Sequence, residues 1–199
     1  MFFKFPLIAV AMILLAGCGQ SASTAALNTP SAGEFVNVRG GTFHWPPTAE
    51  TATVLIFFGH DCPISNAYVP ELTRLHQEYA PQGVSFCIVY ADADLAEEAA
   101  RKHAQEFGFD FPAILDPSMV LARQFGTTVK PEAAVVSPQR ELLYLGRIDD
   151  TYFDFGKRRS QPVHRDLKEA LDAVVNGRPV PAAFTQAVGC AIDFPAQKH

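Results

Sequence analysis

Apolar residues fill positions 54–58, Val-Leu-Ile-Phe-Phe, without interruption and stop at Gly59. A run so short, β-branched and aromatic predicts a strand covered on both faces, as in the middle of an α/β sheet. Residues 84–90 repeat that pattern, and shorter apolar segments at 111–115, 133–137 and 142–148 predict further strands. Between the strands the period becomes helical. Val69, Leu72, Leu75 and Tyr79 fall at core spacing in a helix expected over 63–79, which Pro70 must kink by removing a ladder bond. Helices are also expected over 95–107, 118–125 and 163–175, the last stopped by Asn176-Gly177. Ser137-Pro138-Gln139-Arg140 turns one strand back on the next, and alternation on either side of Gly40-Gly41 predicts a short hairpin or an edge segment over 34–45. The order β-α-β-α-β-α-β-β-α specifies an α/β fold: a mixed sheet, parallel first and antiparallel last, with helices on both faces.

The two ends depart from this patterning. Lys4 precedes an apolar run at 5–16, too short to span a bilayer as a mature helix but suited to a signal peptide. It closes on Leu15-Ala16-Gly17-Cys18, which looks like a bacterial lipobox whose cysteine becomes lipidated. The expected organisation is a lipoprotein signal peptide at 1–17, a flexible linker at 18–33, one domain at 34–177 and a tail at 178–199. Cys18 would then tether the protein to a membrane of the bacterial cell envelope, facing the periplasm or the exterior. The alternative is an ordinary secretory signal with a chance cysteine. With 199 residues, 48% of them hydrophobic, the chain can bury one core. A formal charge of -5 argues against a nucleic-acid partner, which would call for a basic patch.

Chemistry enters at Cys62. Asp61 or Cys62 can cap the helix that follows the first long strand, and Pro63 suits its first position. A sulfur there lies near free N–H groups, whose partial positive charge favours thiolate over thiol. Cys87 falls inside the second strand and reads as an inert core thiol.

A cysteine at the first strand-to-helix junction of this order resembles the thioredoxin fold. Cys62-Pro63-Ile64-Ser65 lies where that superfamily carries Cys-x-x-Cys, and Pro70 sits at its spacing for the helix-kinking proline. Gly126-Thr127-Thr128-Val129-Lys130-Pro131 before Glu132-Ala133-Ala134-Val135 resembles its loop into a strand headed by cis-proline. Gln139-Arg140-Glu141 and the residues 142–147 resemble the closing hairpin of exported redoxins. The resemblance implies thiol–disulfide oxidoreduction with a protein or small-thiol partner and no cofactor. Cys62, Cys190, Ser65 and Pro131 are the expected catalytic set.

The departures from that pattern leave alternatives open. Ser65 replaces the second cysteine; its hydroxyl either donates to a Cys62 thiolate or is solvated. Asp61 beside the sulfur opposes thiolate formation. Gly59 stands where peroxiredoxins carry threonine or serine, and Asn66 where copper-delivery relatives carry a second cysteine. With Cys18 lipidated and Cys87 hidden, Cys190 is the partner left for Cys62, as a resolving disulfide or a shared ligand set; otherwise it is a free thiol on a disordered end. The tail after the last helix reaches about 40 Å, at about 3.3 Å per residue, which is enough. His60 is a candidate base, soft-metal ligand or plain loop residue, and His164 a candidate soft-metal ligand or surface residue at the start of the last helix. Lys130 either stabilises the thiolate or is exposed, and Arg147, Asp149 and Asp150 are expected to form a surface charge cluster. A metal-delivery protein and a catalytically inactive binding module are therefore the rival functions.

Overall fold

The computed structural model describes residues 32–194, so the expected signal peptide, Cys18 and most of the linker lie outside the described residues. A hairpin of β1 (Gly33–Val36) and β2 (Thr42–Trp45) comes first. Then follow β3 (Ala52–Phe57), α1 (Pro63–Ala67), α2 (Val69–Tyr79) and β4 (Val84–Tyr90). The middle holds α3 (Glu97–Glu106), β5 (Ala113–Leu115), α4 (Val120–Phe125), β6 (Val129–Lys130) and β7 (Glu132–Val136). The chain ends with β8 (Leu142–Gly146), β9 (Tyr152–Asp154), β10 (Lys157–Arg158), α5 (Asp166–Val175) and β11 (Cys190–Ala191).

Five strands form the central sheet in the order β5-β4-β3-β7-β8. β3, β4 and β5 run parallel, while β7 is antiparallel to both β3 and β8. All six residues of β3 are buried, which is why its sequence shows no alternation. Val54 and Ile56 join the core under α1, α2, α3 and α5; Leu55 and Phe57 join a second core with Trp45, α4 and Ile192 of the tail. The sheet is thus covered on both faces, and the junction after β3 emerges between the layers.

The helix expected over 63–79 is two helices. Tyr68 interrupts it, with φ -86° and ψ -8°. Pro70 has no N–H to give and its ring cannot tolerate a helical carbonyl four residues back, so the chain turns at Tyr68 and α2 restarts with Pro70 in its first turn. The last helix starts at Asp166 rather than 163. One Asp150 carboxylate oxygen accepts the N–H groups of Val163 and His164, at 2.7 and 3.0 Å, and holds that stretch as a loop.

Asp149 and Asp150 are not a surface cluster: both are 4% exposed. Asp149 accepts from the Tyr68 hydroxyl at 2.7 Å and from the Thr151 N–H at 2.8 Å. Arg147 is paired with Asp166 at 2.8 Å. Buried carboxylates need partners of this kind, and these come from distant helices and loops.

The tail is part of the fold. Its N–H and carbonyl groups at Thr185 and Ala183 pair with Leu145 at the edge of β8. The Thr185 hydroxyl lies 2.6 Å from that of Tyr144. A Cβ on Gly146 would run into Thr185, so only glycine admits the tail there. Further on, β11 pairs antiparallel with β6, Cys190 opposite Lys130. No helix among the described residues is long and apolar enough to cross a membrane.

Leu55→Ala should cost about 2–5 kcal/mol, since it opens a cavity in the middle of β3 where no neighbour can collapse. Chemical denaturation monitored by circular dichroism reads this directly; a loss under about 1 kcal/mol would contradict the packing described.

Candidate active site: a disulfide between helix and tail

Cys62 caps α1 with extended backbone, φ -83° and ψ 114°, and Pro63 occupies the first helical position. The turn into it is tight. The Phe58 N–H still bonds the Val89 carbonyl in the sheet, and the Cys62 N–H reaches back to the Gly59 carbonyl at 3.2 Å. A Cβ on Gly59 would lie 2.8 Å from the Cys62 Cβ, closer than side chains approach, so glycine is required for the chain to leave the strand here.

Three segments converge on the sulfur. Cys62 and Cys190 form a disulfide with Cα atoms 6.2 Å apart, across 128 residues of sequence. The Lys130 carbonyl lies 3.5 Å from the Cys62 Sγ, and the Lys130–Pro131 peptide is cis. β11 brings Cys190 to this place: it pairs with Lys130, and the Ile192 N–H bonds the Thr128 carbonyl at 2.8 Å. A Cβ on Gly189 would overlap the Lys130 carbonyl, so a glycine must precede Cys190. Ile192 is 6% exposed in the second core and Phe194 stacks under Arg123 at 4.7 Å, so the tail is docked by packing as well as by the sulfur bond.

Ser65 is fully buried and its hydroxyl accepts the Gly59 N–H at 3.2 Å. It therefore fixes the turn before Cys62, and it is not solvated. Lys130 is buried rather than exposed. His164 is exposed ahead of α5, and among the described residues no three side chains of metal-ligating type are grouped. Cys87 is completely buried, and burial pushes its thiol well above the ordinary range.

Two features escaped the sequence reading. A buried polar chain supports the loop: the Tyr90 hydroxyl meets His103 Nδ1 at 2.7 Å, His103 Nε2 meets Asn66 Oδ1 at 3.0 Å, and Asn66 Nδ2 donates to the His60 carbonyl at 3.1 Å. Asn66 must accept from His103, so the proton sits on Nε2, Nδ1 accepts from the tyrosine, and the ring is neutral. Burial first, and the neighbouring His60 second, lower His103 to about 4, consistent with a neutral ring. Ala100, His103, Ala104 and Phe107 share one helical face, a spacing that could have flagged the histidine. The second feature is Glu132, directly after Pro131. It is 9% exposed, accepts from the Thr127 hydroxyl, and burial raises its carboxyl to about 7.

A thioredoxin-like sheet with a junction cysteine, facing a cis-proline and bonded to a second cysteine, defines a thioredoxin-fold redoxin. The Redoxin family profile matches residues 31–150, and the chain belongs to that family; Cys190 lies beyond the matched region. The thiol-disulfide oxidoreductase ResA of Halalkalibacterium halodurans is 25% identical over 89 residues, 45% of this chain and 49% of that protein, so the chain spans about half the length of the curated relative it matches. Among solved structures, an uncharacterized conserved protein from Geobacillus kaustophilus is 28% identical, with a TM-score of 0.75 over 85% of this chain and 92% of that one. StoA from Bacillus subtilis shares the fold at 15% identity and a TM-score of 0.51, over 58% of this chain and 87% of that one.

The raised carboxyl of Glu132 has a definite sign for stability. Its folded value, about 7, exceeds the unfolded one, so the protonated form's contribution is complete below the usual carboxylate range. That contribution is lost as pH rises toward about 7. Glu132→Gln should therefore gain in melting temperature relative to the parent across that window, and the gain should level off above it. A difference independent of pH would mean that Glu132 is already ionised.

Proposed function

We propose that this protein is a thiol–disulfide oxidoreductase in which Cys62 exchanges with the partner and Cys190 resolves. The observation that carries the reading is the disulfide that joins a helix-capping cysteine to a docked tail cysteine beside a cis-proline. In the reduced protein the Cys62 thiolate attacks one sulfur of a partner disulfide. A bond forms from Cys62 to that sulfur, and the partner's other sulfur leaves as thiolate. Cys190, deprotonated, then attacks the Cys62 sulfur, the Cys62–Cys190 bond closes and the second partner thiolate departs. Two electrons pass from the protein to the partner, and the reverse sequence oxidises a partner dithiol. The two sulfurs carry the electrons, so the cycle calls for no cofactor.

Resolution is favoured by the tail's docking. β11, Ile192 and Thr185 hold Cys190 against Lys130, so the resolving thiol meets the mixed disulfide at a high effective concentration. The partner is a protein or small thiol. The reading places the protein in the bacterial cell envelope, tethered through lipid on Cys18 with residues 1–17 removed, the linker at 18–33 spacing the domain from the membrane. An oxidising compartment suits a structure whose disulfide is formed.

Cys190→Ser should trap a mixed disulfide between Cys62 and an added aromatic or glutathione disulfide that persists for minutes or longer. Cys62→Ser should form none. Non-reducing peptide mapping reads both, and an absence of exchange at Cys62 in the parent would leave a binding module with a structural disulfide.

A further inference from the structure

Lys130 is 7% exposed beside the disulfide, and its ammonium has no hydrogen bond or ion pair among the described residues. Lys130 Nζ is not among the buried side-chain atoms left without a partner, so its tip reaches solvent, and a cation held there favours an anion beside it. The side chain's course says which one. A Cβ on Gly59 would lie 3.5 Å from the Lys130 Cε and 3.6 Å from its Cδ, as well as 2.8 Å from the Cys62 Cβ. The lysine stem and the Cys62 side chain therefore flank the same glycine, and the missing Cβ at position 59 leaves room for both. Cε is one bond from the ammonium nitrogen. In the disulfide state no charge among the described residues answers it; once the bond to Cys190 opens, a thiolate at Cys62 would.

We infer that Lys130 is the counter-charge of the Cys62 thiolate, lowering that thiol's pKa and tilting the Cys62–Cys190 couple toward the dithiol. The inference rests on the reading of Cys62 as the exchanging thiol and adds what activates it. The need is evident in the local electrostatics. α1 has only five residues, so its terminal field is weaker than that of the single long helix the sequence predicted. Asp61, adjacent to the sulfur, opposes ionisation, although its side chain is 74% exposed and thus screened. The other charged groups around the junction face elsewhere. His60 Nδ1 lies 3.8 Å from Asp61 and 3.9 Å from Asp92, and Glu132 is held by Thr127, with no cation offsetting the burial that raises it. Lys130 acts on the sulfur electrostatically, as a positioning residue.

The experiment measures the pH dependence of iodoacetamide alkylation at Cys62 in the reduced protein, resolved from Cys190 by peptide mass spectrometry. It compares the parent with Lys130→Met, which keeps length without charge, and Lys130→Arg, which keeps charge. The parent should show a thiol below the usual value of about 8.5, the Met variant a midpoint higher by about one unit or more, and the Arg variant one close to the parent. At pH 9 the Met variant's equilibrium with glutathione should shift about tenfold toward the disulfide, a potential about 30 mV lower. Melting curves check that each variant folds, and Lys130→Gln repeats the comparison should Met fail. An unchanged alkylation profile in the uncharged variant, or an ordinary thiol in the parent, overturns the inference. Because alkylation needs no disulfide partner, a shifted profile without exchange would uphold Lys130's electrostatic part and sink the oxidoreductase reading instead.

Discussion

The organisation of the site depends on antiparallel backbone pairing between two very short strands, β6 and β11. Two residues on each side would not hold together in water. They persist because the tail is anchored on either side of them, at Thr185 against the edge of β8 and at Ile192 in the second core. Pairing at Lys130 sets Cys190 opposite the residue whose carbonyl touches the Cys62 sulfur. Main-chain hydrogen bonds thus position the two sulfurs. Glycine at 59 and 189 is the steric condition for the approach, since either Cβ would collide with a neighbour.

Around this contact the protein buries several hydrogen-bonded polar groups. The Tyr90–His103–Asn66 chain ends on the His60 carbonyl, and the Ser65 hydroxyl receives the Gly59 N–H. Together they fix both ends of the turn into Cys62 without exposing it to water. Such networks are costly if broken, because each orphaned group keeps its desolvation penalty. The turn is accordingly held from both sides, and the Cys62 it presents is itself only 1% exposed. Lys130 and Glu132 bracket the cis-proline with opposite demands. Among the described residues the lysine has no ion-pair or hydrogen-bond partner, while burial raises the carboxyl to about 7.

Much of this was legible in local patterns. The unbroken apolar run of β3, the stop at Gly59 and Pro63 after Cys62 together mark a buried strand handing over to a helix, and each is a property of adjacent residues. The break at Tyr68 was half visible: Pro70 declared a fault, but whether a helix bends or divides depends on what packs against it. Asp149 and Asp150 were misjudged because a carboxylate looks exposed until its partners are known, and Tyr68 lies 81 residues away. His103 had the spacing of a core residue and was obscured by the charged face around it.

The sequence alone determined the order of the five central strands and the helices between them, the cysteine at the first junction and the proline that precedes β7, since short-range periodicity and backbone restrictions encode these. The three-dimensional structure decided that the tail carries a short strand, that Cys190 meets Cys62, and that Lys130 is largely covered beside them. Those outcomes rest on contacts between residues tens to more than a hundred positions apart. A pairing of two residues leaves no period in the chain, and a charge acquires its meaning only from what surrounds it.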